Sequence, residues 1–366
     1  MVMQENPAFL TEQIITYLGN KRALLDFIGQ AVLHVKRILG REQLRCFDAF
    51  SGSGIVARFL KQHASVLYVN DLEAYSRLFN ECYLTNREEI DFPLLERTLA
   101  ELRQNIVRNW HRGFLGELYA PRDEKNIQPG ERVFFTIRNA DYLNTARDEI
   151  AKLPKDLQKF FLGPLLYGAS VHNNTGGVFK GFYKNQQGIG QYGGTGRNAL
   201  DRILGDIELT LPVFSNFTCE THIFQQDATE AALRLPHVDL AYLDPPYNQH
   251  PYGSNYFMLN VLLENRPPQD ISRVSGIPTA WNRSNYNKRG LAQKTLFELI
   301  QTLDASFILL SYNSEGFIQQ DTFVKQLQTL GQLEIFSTPY ITFRASRNLN
   351  QRNLHVKEYL FLLHKQ

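Results

Sequence analysis

The sequence predicts an α/β fold built on a parallel β-sheet, and three observations support this fold class. Residues 238–243 form an apolar run interrupted only by Asp239, which is typical of a strand buried on both faces. Residues 46–60 give a short strand, a Gly-rich turn and the start of a helix, and residues 64–69 give the next strand. Residues 80–220 leave this alternation, so an insert interrupts the sheet.

Bulk composition limits the class of protein. The chain has 366 residues and 43% hydrophobic residues, enough for one large domain or a core with a sizeable insert. Its three cysteines have no paired spacing and no Cys/His cluster suggests a metal, so we expect reduced thiols and a cytoplasmic protein. Neither a signal peptide nor an apolar stretch of about 20 residues is present, so we do not expect the protein to associate with a membrane. The net charge of +2 requires any nucleic-acid contact to come from local basic patches.

The first helix is predicted over residues 23–39, where apolar residues recur at helical spacing. Lys21 and Arg22 precede it, although cations at a helix start oppose the macrodipole. We therefore expect Lys21 to meet a carboxylate or a phosphate. The alternative for this segment alone is an ordinary solvated lysine.

The Gly turn and the following strand predict a nucleoside-containing ligand. Gly52 and Gly54 let a ligand approach the backbone at a helix start, although Ala57 stands where a dinucleotide fingerprint has its third glycine. Asp71 ends the next strand, where a carboxylate can bind two ribose hydroxyls. Asp48 either contacts the ligand or supports the turn.

The predicted insert combines helices with a polar loop. Helices are expected over residues 94–110 and 149–168, the second punctuated by Pro154 and Pro164. From His172 to Arg197 the chain mixes amides, hydroxyls, aromatics and cations on a Gly-rich backbone, which suits base edges and phosphates. The alternative is a plain surface loop.

The sequence Asp244-Pro245-Pro246-Tyr247 forms a rigid elbow after the buried strand. Asp244 and a prolyl carbonyl can accept both hydrogens of one amino group while Tyr247 stacks on the ring that carries it. Before this strand, residues 219–224 form another strand, and Asp227 follows as a ligand acceptor or a helix cap. This combination predicts a site for an exocyclic base amine.

After the elbow, the pattern predicts a helix over 258–264, a long loop over 265–290, a helix over 291–303 and a strand over 306–313. The loop interleaves cations with Trp281 and Tyr286, which favours a DNA-facing lid over a merely mobile segment. Residues 333–343 and 355–364 are expected to pair as an antiparallel hairpin at the sheet edge. Between them, Arg344, Arg347 and Arg352 form a second basic loop.

The ordered motifs resemble one family. Residues 17–21 (Tyr-Leu-Gly-Asn-Lys), residues 47–54, Asn70-Asp71 and the elbow occur in the order of Dam-like, alpha-group adenine-N6 DNA methyltransferases. The resemblance covers residues 10–80 and 220–365. It implies a Rossmann-like, seven-stranded sheet that binds S-adenosylmethionine, formed by residues 1–81 and 223–366. It also implies a target-recognition insert over residues 82–222.

The resemblance, together with the residue patterns, assigns roles along the chain. Asp244, Pro245, Pro246 and Tyr247 are predicted to be catalytic. The predicted cofactor-binding residues are Tyr17, Lys21, Asp48, Phe50, Gly52, Gly54, Asp71, Asp227 and Asp244, with Lys21 at the methionine end. The predicted DNA-binding residues are Lys180, Lys184, Arg197, Arg283, Lys288, Arg289, Arg344 and Arg347.

The predicted function is site-specific methylation of adenine N6 in double-stranded DNA, on a base flipped out of the duplex. The resemblance further implies a monomeric, metal-free modification enzyme of a restriction-modification system, with a possible partner endonuclease. Methylation of cytosine N4, of RNA adenine or of a protein glutamine remains the nearest alternative. A nucleotide-dependent oxidoreductase is disfavoured by the missing third glycine, and a non-catalytic DNA-binding protein by the complete elbow.

Overall fold

The computed structural model describes residues 4–341 and 355–366 of the chain. Its centre is a seven-stranded mixed sheet with the strand order β3-β2-β1-β4-β5-β7-β6. The strands are β1 (Leu44–Asp48), β2 (Ala64–Asp71), β3 (Glu220–Gln225), β4 (Val238–Leu243), β5 (Ala305–Asn313), β6 (Gly331–Ile341) and β7 (His355–Lys365). The predicted α/β class and seven-stranded sheet are confirmed.

Parallel pairing of β1 to β5 brings several strand ends to one edge of the sheet. Asp48 lies opposite Tyr242 of β4, and Asp71 lies opposite Gln225 of β3. Strand β7 runs antiparallel to both β5 and β6, which confirms the predicted hairpin. Polar residues that follow β1, β2, β3 and β4 therefore meet at one carboxyl edge, where ligands bind in open α/β sheets.

Helices cover both faces of the sheet and build the insert. They are α1 (Pro7–Thr11), α2 (Leu25–Leu39), α3 (Ile55–Lys61), α4 (Ala74–Tyr83), α5 (Phe92–Arg108), α6 (Phe114–Tyr119), α7 (Ile137–Ala151), α8 (Lys155–Val171), α9 (Leu200–Leu204), α10 (Ala228–Ala232), α11 (Tyr252–Asn255), α12 (Phe257–Glu264), α13 (Arg289–Thr302) and α14 (Gln320–Leu327). The predicted helix over 149–168 is wrong in extent, because α7 ends before Pro154 and α8 begins after it. Proline suits a helix start, whereas Pro164 lies inside α8.

The insert shares one hydrophobic core with the sheet. Gly163 of α8 approaches α4 so closely that a Cβ there would lie 2.9 Å from the Cys82 sulfur. Buried side chains of α5, α7 and α8 belong to the same cluster as those of β1, β2 and β4. Strand β3 begins at Glu220, so residues 220–222 of the predicted insert lie in the sheet. The functional division of the chain stays a prediction.

Three findings concern the broad class of the protein. Among the described residues, no helix is long and apolar enough to cross a membrane. The three cysteines are buried and free. Within residues 4–341 and 355–366, no three His, Cys, Asp or Glu side chains come together in a way that could hold a metal ion.

The predicted second basic loop lies outside the described residues; it contains Arg344, Arg347 and Arg352.

Candidate active site

A pocket lies at the carboxyl edge of the parallel strands. Four parts of the chain form it: the segment before α2, the strand ends with the Gly turn, the elbow with α11, and the loop before α13. Its lining includes Tyr17, Lys21, Phe50, Gly52, Asp71, Glu73, Asp227, Asp244, Pro246, Tyr252, Asn282 and Tyr286. Its position at the carboxyl ends of parallel strands is that of a ligand site in an open α/β sheet.

The Gly turn brings backbone to the pocket surface. Gly52 has φ +54°, and a Cβ there would lie 2.7 Å from the Tyr17 ring. Its amide donates a hydrogen bond of 2.7 Å to the Asp71 carboxylate. Gly54 also has a positive φ, of +78°, but it caps α3 and does not line the pocket. The turn therefore requires glycine for both conformation and space.

Two acidic residues flank the end of β2. Asp71 accepts the amides of Gly52 and Glu73, and burial raises the pKa of its carboxyl group. Burial also raises the pKa of Glu73 to about 7. Glu73 accepts the side-chain amides of Asn260, at 2.7 Å, and Asn282, at 3.2 Å. Glu73 was not predicted, although it follows the predicted ribose-binding residue Asp71 by two positions.

Stacked tyrosines hold the segment before α2 over the pocket. The Tyr17 ring lies 4.9 Å from that of Tyr252 and 4.6 Å from that of Tyr256, and both pairs are stacked. Tyr256 accepts the amide of Leu18, and the Tyr252 hydroxyl donates to the Leu18 carbonyl. Tyr252 and Tyr256 were not predicted, but they are four positions apart just after the elbow. This spacing could have indicated two rings facing the same way.

The elbow meets a buried ion-pair network. The Lys21 ammonium lies 3.2 Å from Asp244 Oδ1 and 2.6 Å from Glu358 Oε1 of β7. Burial lowers the pKa of Lys21, but the two carboxylates raise it well above its usual range. Burial raises the pKa of Asp244 to about 7, Lys21 opposes this rise and Glu358 adds to it. Lys21 thus meets carboxylates, one of the two partners expected from its place before the helix.

The rest of the elbow surrounds Asp244. Pro246 lines the pocket, whereas Pro245 is buried and does not. Tyr247 is half-buried beside the pocket, and its ring makes an edge contact with Tyr312 at 6.2 Å. The catalytic roles of these residues stay predictions.

Two predicted cofactor residues, Asp48 and Asp227, differ in their position relative to the pocket. Asp48 is fully buried and does not line the pocket. Burial raises its pKa, as does Asp244. Neither carboxylate oxygen of Asp48 has a hydrogen-bond partner among the described residues, so ligand contact and support of the turn both stay predictions. Asp227 caps α10 by accepting the Thr229 amide at 2.9 Å, and it also lines the pocket. Both alternatives for Asp227 thus remain compatible with its position.

The loop before α13 is partly a wall of the pocket. Tyr286 is buried and makes an edge contact of 5.0 Å with Phe50, so its expected exposure to DNA is wrong. Asn282 reaches Glu73 and the Leu72 carbonyl. Aromatic rings line ligand pockets as well as DNA-binding surfaces. The alternation of cations and rings in the sequence therefore could not distinguish a pocket wall from a DNA-facing loop.

Six of the predicted DNA-binding cations belong to the described residues, and these six do not line the pocket. Lys180, Arg197, Arg283, Lys288 and Arg289 are exposed, and Lys184 is half-buried. Arg283 stacks over Trp281 at 4.1 Å. Their contact with DNA stays a prediction.

Two amides near the start of the polar insert loop, Asn173 and Asn174, are buried, contrary to expectation. Thr175, which follows them, is also buried. Asn174 donates to the carbonyls of Val133 and Gln191, so it holds the loop together. Buried backbone needs such partners, and short amides supply them.

The chain is similar to known DNA methyltransferases. The family model described as D12 class N6 adenine-specific DNA methyltransferase matches residues 17–326. The chain is 26% identical to the type II methyltransferase M.NlaIII of Neisseria lactamica, over 96% of this chain and 99% of that protein. It is 26% identical to M.CviAII of Paramecium bursaria Chlorella virus 1, over 96% and 98%. It is also 26% identical to modification methylase StsI of Streptococcus sanguinis, over 96% of this chain but 52% of that longer protein.

Proposed function

This chain belongs to the D12 class N6 adenine-specific DNA methyltransferase family, and we propose that its pocket joins S-adenosylmethionine to a flipped adenine. One observation carries this proposal. The Gly turn, the acid at the end of β2 and the elbow carboxylate line a single pocket. Use of S-adenosylmethionine is general among methyltransferases, and the residues present fit that molecule.

The cofactor would lie along the strand ends. Gly52 leaves room for a ligand against backbone, and Asp71 is held by two amides in position to accept ribose hydroxyls. Phe50 and Tyr286 offer apolar ring surfaces for an adenine, and Asp227 offers an acceptor for its amine. When bound, S-adenosylmethionine supplies an electrophilic methyl group on its sulfonium. Contact between Lys21 and the methionine end of the cofactor stays a prediction. In the structure, the Lys21 ammonium instead contacts the carboxylates of Asp244 and Glu358.

The elbow would present the target nitrogen. Asp244 and the Pro245 carbonyl accept the two hydrogens of the adenine amine, which keeps the nitrogen lone pair out of conjugation with the ring. Tyr247 stacks on the flipped base, and Pro246 fixes the backbone between them. Since Asp244 already lines the pocket, positioning and preorganised charge would lower the barrier.

Recognition of DNA would use the exposed cations and one turn of the insert. Lys184 and Gly190 form an isolated bridge, and the Asn185 side chain accepts two amides within the turn between them. This presents Gln186 and Gln187 to solvent. Amide side chains pair with adenine edges in the major groove.

The residues just before that turn contact α11, which follows the elbow, and the loop before α13. The Phe179 amide donates to the Asn255 carbonyl of α11, and the Ser275 hydroxyl donates to the Lys180 carbonyl. Lys180, Lys184 and the other cations would hold phosphates. The proposed DNA-binding surface would thus lie next to the elbow.

The relatives point to a cellular role. M.NlaIII and M.CviAII are named as type II methyltransferases, and both are matched over nearly their whole length. We therefore propose that this chain is the modification enzyme of a restriction-modification system. It would act on double-stranded DNA as a monomer in the cytoplasm, and an endonuclease would share its recognition site.

The decisive test identifies the modified nucleoside. Purified protein is incubated with methyl-labelled S-adenosylmethionine and duplex DNA, which is then digested and separated. We expect label in N6-methyldeoxyadenosine and none with the Asp244→Ala variant. Label in N4-methyldeoxycytidine, or transfer to RNA but not to DNA, would contradict the proposal.

A further inference from the structure

Glu358 is a buried carboxylate that the predicted motifs do not include. It lies on β7 opposite Asn313 of β5, and it is 1% exposed. A buried charge is costly unless it is paired and hydrogen-bonded. Glu358 has both kinds of partner, since Oε1 accepts from the Lys21 ammonium at 2.6 Å and from the Ser311 hydroxyl at 2.8 Å.

The same ammonium also contacts Asp244 of the elbow. Lys21 is 4% exposed and lies 3.2 Å from Asp244 Oδ1, longer than its contact with Glu358. The cation is thus shared between two carboxylates, and the shorter contact is with the one that does not line the pocket. An ammonium held by Asp244 alone would compete for the oxygens that the adenine amine needs.

We propose that Glu358 is a positioning residue for methyl transfer, which binds Lys21 and so leaves Asp244 available as an acceptor. This inference rests on the proposed function. Glu358 acts through Lys21 and does not touch the adenine. Ser311 fixes the carboxylate so that the ammonium has one defined place.

The charges around Asp244 determine what the loss of Glu358 would do. The titratable groups facing Asp244 from the elements packed on it are Lys21, Asp48, Tyr242, Tyr247, Tyr252 and Glu358. Burial raises the pKa of Asp244 to about 7, Lys21 lowers it and Glu358 raises it. Removing the charge of Glu358 therefore lowers the pKa of Asp244 and leaves Lys21 with one carboxylate partner.

The experiment compares kcat against pH for wild type and Glu358→Gln, which keeps the side-chain size. Asp244 must be ionised to accept, so wild-type kcat falls as pH drops through about 7. In Glu358→Gln we expect this acidic limb to move to lower pH by at least about half a unit. We expect the plateau kcat to fall about tenfold, because Lys21 now occupies Asp244. The Kd for S-adenosylmethionine should change little.

A matched control separates this role from the loss of any buried charge. Glu149 is 5% exposed and contacts Lys152 at 2.6 Å, outside the pocket lining. Glu149→Gln should keep the wild-type pH profile and plateau. If Glu358→Gln behaves like this control, the inference is overturned.

A conservative variant keeps the test valid if Glu358→Gln does not fold. Glu358→Asp retains the charge but shortens the reach to Lys21, so kcat should fall while the acidic limb stays near that of wild type. An unchanged kcat in a folded Glu358→Asp variant would overturn the inference. A wild-type protein that methylates no adenine would instead contradict the proposed function.

Discussion

Gly52→Ala is expected to weaken cofactor binding, because the added Cβ would overlap the Tyr17 ring. This effect can be measured separately from backbone strain. A Cβ at this position would lie 2.7 Å from Tyr17 Cε1 and 3.1 Å from Cζ, well inside van der Waals contact. Because the ring is stacked on Tyr252 and Tyr256, it can move aside only by loosening those contacts. Such aromatic pairs contribute about 0.5–1.5 kcal/mol each.

The backbone adds a second cost. Gly52 has φ +54°, a conformation that costs an alanine about 1–2 kcal/mol. Gly40 provides a matched control, since it has φ +62° and a Cβ added there would meet nothing within 4 Å. Both variants should therefore lose about 1–2 kcal/mol of unfolding free energy from strain alone. Overlap with Tyr17 belongs to Gly52→Ala alone.

Calorimetric titration with S-adenosylmethionine, together with chemical denaturation, measures the two effects. We expect Gly40→Ala to bind like wild type and Gly52→Ala to bind about 10- to 100-fold more weakly, equivalent to about 1.4–2.8 kcal/mol. Equal cofactor affinity in the two variants would refute the assignment of the Gly turn to the cofactor. Equal stability of Gly40→Ala and wild type would refute the strain argument.

Three further predictions address the other parts of the site. Asp244→Ala should abolish methyl transfer yet bind S-adenosylmethionine measurably by titration, and a fully active variant would contradict the mechanism. Asp71→Ala should weaken cofactor binding by about tenfold or more while DNA affinity changes little, and equal losses in the two titrations would argue against its ribose role. Replacing Lys180 and Lys184 by Ala should weaken DNA binding and flatten the slope of log K against log salt by about 2, whereas an unchanged slope would remove both from the phosphate contacts.

The parts of the fold that follow from local sequence were predictable. The run at β4 is apolar at nearly every position, and two prolines mark where the strand ends. The Gly turn and Asp71 lie at consecutive strand ends, so parallel pairing was enough to bring them together. The edge of the sheet that carries the pocket could therefore be predicted without any long-range contact.

Contacts between distant segments were not predictable. Glu358 meets Lys21 across 337 positions, and a single Glu in an amphipathic strand looks like a solvated side chain. The amides of the loop from His172 to Arg197 were expected to be exposed, because polar residues in a Gly-rich run usually are, and Asn174 is one of them. In the structure it satisfies carbonyls of its own loop and of Val133. A polar side chain faces inward where buried backbone groups need a hydrogen-bond partner. Local sequence does not show where those backbone groups lie.

The place of β7 between β5 and β6 has a consequence for folding order. Until β7 inserts, β5 is an edge strand and Lys21 lacks its shorter carboxylate contact. The longest separation in the sheet is elsewhere, because β1 pairs with β4 through Cys46 and Leu240, whereas β7 pairs with β5 and β6 that are closer in sequence. The parallel pairing of β1 with β4 therefore has the larger loop-closure entropy and is expected later than the β6–β7 hairpin. Methylating activity should then appear in the slowest refolding phase, when both pairings are complete and Lys21 reaches Glu358. In this protein, the acquisition of activity reports the completion of the sheet.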